Sequence, residues 1–132
     1  MTARAGAATR VLLVEDSEAF RGTIAFLLGR VDGVEVVGEV AEGVAAAAAC
    51  TELRVDVAVL DLRLPDASGP TVAAELRERC PDVAVVFLSA FSGPDEREAA
   101  RIAGVRLVRK DEGIDALVEA IREATGGPPT WI

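Results

Sequence analysis

Five short runs of aliphatic and β-branched residues punctuate the chain: VLLVE (11–15), VEVVGEV (34–40), VDVAVLD (55–61), VAVVFLS (83–89) and VRLV (105–108). They lean towards continuous apolarity more than towards in–out alternation, the pattern of parallel strands covered on both faces. Helical spacing fills the gaps. Ser17 is placed to cap a helix through about Arg30, in which Phe20, Ile24, Leu27 and Leu28 recur at three- and four-residue intervals. A second helix is expected through the alanines of 44–50, a third over about 69–79 before Pro81, and a fourth over about 95–103. The last sets Ile114, Leu117, Val118 and Ile121 on one face and ends at Gly126-Gly127-Pro128.

Strand–helix alternation repeated five times predicts an α/β fold, a doubly wound parallel sheet with helices on both faces. No internal repeat or low-complexity linker divides the chain. One domain over 10–126 is expected, with a flexible segment at 1–9 and a tail, or the start of a linker, at 127–132.

Composition narrows the chemistry. The chain has 132 residues, 51% of them apolar, which argues against disorder. It has no Tyr and no His, so the core must rest on Val, Leu, Ile and Ala, and any chemistry on carboxylates, hydroxyls and lysine. A net charge of -8 repels nucleic acid and anionic membrane surfaces. No run of 18 apolar residues is present to span a membrane, and MTARAGAATR lacks a signal-peptide core, so a cytoplasmic location is expected. Cys50 and Cys80 match no disulfide-scaffold or zinc spacing and read as buried thiols.

In an open parallel sheet, ligands bind at the carboxyl ends of the strands. The first run ends in Glu15-Asp16, the third in Asp61 and the fourth in Ser89, while Lys110 follows the fifth. Taken singly, Asp16 reads as a cap or turn former, Lys110 as a solvated lysine and Ser89 as a turn hydroxyl. Their joint placement at one sheet edge is what marks a site. Three carboxylates there repel one another by a few kcal/mol per pair at about 4 Å. A hard divalent cation offsets this, and an oxygen-only donor set in an open site suits Mg²⁺. A carboxylate beside Mg²⁺, a lysine and a hydroxyl is equipped to attack phosphorus and hold an acyl phosphate. The apolar third strand is then a rigid mount for Asp61.

These residues resemble those of the receiver domain of two-component response regulators, over essentially all of 10–126. The likeness rests on Glu15-Asp16 after VLLV, on Asp61, Leu64, Pro65 and Gly69 in the D-x-x-L-P-x-x-x-G pattern, on Ser89 after VAVVFL and on Lys110 after RLVR. It implies a flavodoxin-like (CheY-like) five-stranded sheet in order 2-1-3-4-5 with five helices. It implies Asp61 as phosphoacceptor from a sensor histidine kinase, with no enzymatic turnover beyond self-phosphotransfer and slow autodephosphorylation. Mg²⁺ would be held by Asp16, Asp61 and the backbone carbonyl of Arg63, with Glu15 acting through water. Lys110 would contact the phosphoryl oxygens, and Ser89 would move to meet them.

VEVVGEVAEG and LSAFSGPDE are most similar to receivers of the NarL/LuxR type, which are joined to a helix-turn-helix DNA-binding domain. GGPPTWI resembles the first residues of such a linker, so transcriptional output through a domain absent from this chain is expected. A homodimer is possible in this family, and DNA would be met only through the absent domain.

Two departures stand out. Leu107 occupies the position where the family often has Tyr or Phe, so an aromatic in–out switch is not expected there, and signalling would travel by loop and helix shifts. Asp111 replaces the proline that often follows the lysine, so a cis peptide, costing about 3–4 kcal/mol without proline, is not assumed. Phe91 reads as core or helix-edge packing, and Arg63 as a long cation near the site. The alternatives are a stand-alone single-domain response regulator, the same fold used only for docking, a Mg²⁺-dependent phosphohydrolase of the haloacid dehalogenase type and a flavodoxin-like FMN carrier. The phosphohydrolase pattern wants a second acid two residues after Asp61, where Arg63 stands. The FMN carrier wants a phosphate-cradling first loop, where EDSEAF is acidic.

Overall fold

The computed structural model describes residues 8–126. The elements run β1 (Thr9–Val14), α1 (Glu18–Leu28), β2 (Val34–Val40), a single 3₁₀ turn (Gly43–Ala45), α2 (Ala46–Glu52), β3 (Val57–Asp61), α3 (Gly69–Arg79), β4 (Ala84–Ser89), α4 (Pro94–Ala103), β5 (Arg106–Arg109) and α5 (Ile114–Ala124). All five strands are parallel, in the order β2-β1-β3-β4-β5. Fold class, strand order and helix number are as the sequence implies. Thr9 already pairs with Val34, so the sheet begins inside the expected 1–9 segment. Trp131, Ile132 and the rest of 127–132 lie outside the described residues, as do 1–7.

The unbroken apolar runs resolve into two alternating stripes, because successive strand residues face opposite sides of the sheet. Leu12 and Val14 of β1, Ala58 and Leu60 of β3 and Phe87 of β4 meet α2, α3 and α4. Val11, Leu13, Val57, Val59, Val86 and Leu88 meet α1 and α5 on the other side. Burial is continuous along β3. It is not at the sheet edges, where Glu35 and Glu39 of β2 and Arg106 and Arg109 of β5 reach solvent. An edge strand has one strand neighbour and needs charged residues to discourage further pairing.

Helix starts follow local chemistry. Ser17 Oγ accepts from the Phe20 N–H at 3.2 Å, and Ser68 Oγ from the Thr71 N–H at 3.2 Å. The alanine run has a packing role: Ala46 and Ala47 are fully buried, letting α2 approach the sheet closely. Cys50 and Cys80 are buried free thiols, and burial, with Cys80 nearby, pushes the Cys50 thiol up to about 12. No helix among the described residues is long and apolar enough to cross a membrane.

Candidate functional site

The buried polar or charged residues among those described are Glu15, Asp61 and Ser89, at 2%, 6% and 4% exposure. All three sit at the carboxyl ends of central strands. Each strand delivers its last residue to the same edge because the parallel register aligns the ends, with Asp61 opposite Leu88. Asp16 joins them from the solvent side, and carboxylate oxygens of Glu15, Asp16 and Asp61 lie within 4.8 Å of one another.

Lys110 closes the cluster. Its backbone N–H donates to Ser89 O at 2.8 Å, which fixes the chain as it leaves β5. Its Nζ reaches back to lie 2.6 Å from Glu15 Oε1 and 2.9 Å from Asp61 Oδ2. The Phe20 ring lies beneath the ammonium, 4.7 Å from centroid to Nζ. Burial works against the Lys110 charge, but the two carboxylates outweigh it and hold the pKa above its ordinary value. Glu15 shows the opposite balance. Burial lifts its pKa, while the Lys110 ammonium and the Ser17 N–H, 2.8 Å from Oε2, pull it back only in part.

The remaining contacts organise the rim. Asp61 Oδ1 accepts from the Arg63 N–H at 3.0 Å, which brings the Arg63 main chain against the cluster. Ser89 Oγ accepts from the Phe91 N–H at 3.1 Å, leaving the hydroxyl proton free to be donated elsewhere. Gly69 is dictated by space: a Cβ there would stand 2.9 Å from both Asp61 O and Leu62 Cα. Gly69→Ala is therefore expected to cost about 1–3 kcal/mol of stability, read from urea unfolding, because neither backbone atom can move without displacing the end of the strand that carries Asp61.

The donor set suits a hard divalent ion. Three carboxylates converge, and one ammonium faces them, Lys110 Nζ at 2.6 Å from Glu15 Oε1 and 2.9 Å from Asp61 Oδ2. Three negative charges against one positive leave a net charge for a cation to offset.

The structure thus gathers Glu15, Asp16, Asp61 and Lys110 into one cluster, with the Arg63 N–H bonded to Asp61 and the Ser89 main chain bonded to Lys110 at its rim. One reading changes: Phe91 does not pack in the core but is 64% exposed. The Arg63 guanidinium is 75% exposed and pairs with Glu96, with Nη2 to Oε2 at 3.0 Å. Leu107 packs against the α2–α4 side of the sheet, and every described peptide bond is trans.

Three supporting residues carry no sequence signal of their role. They are Phe20 beneath Lys110, Arg21, which donates to Glu15 O at 2.7 Å, and Asp66, whose carboxylate accepts from the Gly43 and Val44 N–H groups at 2.8 Å each. Those two N–H groups hold the Asp66 carboxyl below its ordinary pKa and tie the loop after Asp61 to the start of the 3₁₀ turn.

The model of the response regulator receiver domain matches residues 11–122. The DNA-binding transcriptional activator DevR/DosR of Mycobacterium tuberculosis is 33% identical over 120 residues, covering 89% of this chain and 55% of that protein. The response regulator protein VraR of Staphylococcus aureus is 31% identical over 119 residues, covering 89% of this chain and 57% of its own length. This chain therefore spans little more than half of such curated relatives. Among solved structures, the signal receiver domain of NarL from Mycobacterium tuberculosis superposes with a TM-score of 0.83 at 30% identity, covering 92% of this chain and 98% of that one.

Proposed function

This chain belongs to the response regulator receiver domain family, with relatives of the NarL/LuxR type, and from that premise we propose that Asp61 is its phosphoacceptor. The observation that carries the reading is a lysine ammonium held 2.6 and 2.9 Å from two buried strand-end carboxylates, with a third acid beside them. Asp61 attacks the phosphorus of a phosphohistidine on a sensor kinase. The O–P bond forms as the P–N bond breaks, and the imidazole leaves with the electron pair. Lys110 transfers its contacts from the carboxylates to the phosphoryl oxygens, and Ser89 donates its free hydroxyl proton to one of them.

Asp16, Asp61 and the Arg63 carbonyl would hold Mg²⁺ directly and Glu15 through water, and the bound ion supplies charge neutralisation for the transferring group. Residues 10–126 form the receiver unit in this reading, which works in the cytoplasm. Its output is transcriptional control, through a helix-turn-helix domain that meets DNA in place of this acidic one. The transcriptional names of its longer relatives support that output.

Incubation with Mg²⁺ and phosphoramidate is expected to add one phosphoryl group per chain, seen by intact mass and lost with EDTA present. An unchanged mass, or repeated turnover of phosphate esters, would contradict the proposal.

A further inference from the structure

Glu96, in the first turn of α4, makes two contacts at once. Its Oε1 accepts from the Gly93 N–H at 3.0 Å, the half of a capping box that a glutamate in the first turn supplies when the cap residue is glycine. Its Oε2 receives Arg63 Nη2 at 3.0 Å. A Cβ at position 93 would lie 2.9 Å from Glu96 Oε1, so glycine lets this carboxylate approach the chain closely. One carboxylate, itself 12% exposed, thus joins the start of α4 to the loop that follows Asp61.

We propose that Arg63 and Glu96 form an anion-exchange latch, in which a phosphoryl group on Asp61 draws the Arg63 guanidinium off Glu96 and frees the first turn of α4 from the phosphoacceptor loop. The inference rests on the phosphoacceptor reading above. Arg63 is anchored to the reacting residue, its N–H on Asp61 Oδ1 at 3.0 Å, so its side chain starts beside the incoming charge. That side chain is 75% exposed. An ion pair with its guanidinium in solvent contributes little and exchanges readily. A phosphoryl group carries nearly twice the charge of a carboxylate and matches the planar guanidinium fork, so it is the stronger partner.

α4 is suited to respond. Ala100 is its buried residue, while Ile102 stands 71% exposed, so the helix moves with little loss of core contact. Its first turn is otherwise held by the Arg97 guanidinium on Ser92 O, a contact within the same loop and helix. Among the described residues, the Arg63–Glu96 pair is the ion pair that crosses from this turn to the loop after Asp61.

Linkage supplies the test, because a latch that opens on binding must also oppose binding while closed. The probe is beryllofluoride with Mg²⁺, a phosphoryl mimic, with occupancy read by fluorine NMR and the helix by amide NMR. In the wild type, binding should shift the Gly93 and Glu96 amides. Glu96→Gln keeps an acceptor for the Gly93 N–H but releases Arg63, and should bind the mimic roughly two- to fivefold more tightly, the range set by an exposed pair. In Arg63→Gln the same Glu96→Gln change should give no gain. The latch is overturned if Glu96→Gln binds no tighter, if the gain persists without Arg63, or if the wild type binds with unmoved Gly93 and Glu96 amides. A wild type that binds no mimic at all overturns the phosphoacceptor reading itself, a separate and visible result.

Discussion

Asp61→Asn is expected to abolish phosphoryl uptake from phosphoramidate while leaving the fold in place. The amide oxygen still accepts from the Arg63 N–H, the bond that shapes the loop, so the geometry of the rim survives. What disappears is the anionic nucleophile. An amide oxygen does not attack phosphorus under these conditions, and Asp16, the exposed acid beside it, has no strand-end mount. Intact mass under the conditions that modify the wild type should show no adduct, with a urea midpoint confirming the folded state. An adduct of undiminished yield would move the phosphoacceptor elsewhere.

Lys110→Ala should have the second-largest effect, and on two measurements. It leaves Glu15 and Asp61 facing each other without their shared cation. Breaking a buried pair typically costs 3–5 kcal/mol; the lysine side chain is 21% exposed, so about 2–4 kcal/mol is expected at pH 7. The loss should shrink as the pH falls. Burial already raises the Glu15 pKa above 4.5, and removing Lys110 takes away a group that lowers it. The folded protein then takes up a proton at a pH where the unfolded chain does not. That contribution is complete below about 4.5 and is lost as the pH rises through the folded value. Millimolar Mg²⁺ should restore part of the deficit by mass action on the folded state. Phosphoryl uptake should slow by about 10²-fold, the usual effect of removing one group aimed at developing charge. Urea unfolding at several pH values and adduct formation over time test both; a deficit that grows towards acid pH would refute the electrostatic account.

Much of this molecule was legible from the residues alone, for identifiable reasons. The strand runs were readable because a central parallel strand is apolar on both faces, and β3 is buried along its whole length. The site was readable because polar residues at the ends of such strands have few structural excuses. Phe91 misled, because an aromatic beside a strand end suggests burial, whereas its ring stands 64% exposed. Arg63 was half legible. Its nearness to Asp61 follows from sequence, but its pairing depends on a helix more than thirty residues away, with Glu96.

The amino-acid order by itself determined the fold class, the succession of elements and the set of residues gathered at one sheet edge. Each depends on local periodicity, and parallel strands carry their ends to a common side whatever the loops do. Tertiary structure alone decided how those residues share charge. It placed Lys110 between Glu15 and Asp61, Phe20 beneath the ammonium, and Arg63 on Glu96 instead of on the acids. Such pairings join positions far apart in the chain, and their strength depends on distances of a few ångströms and on exclusion of water, neither of which spacing along a sequence encodes.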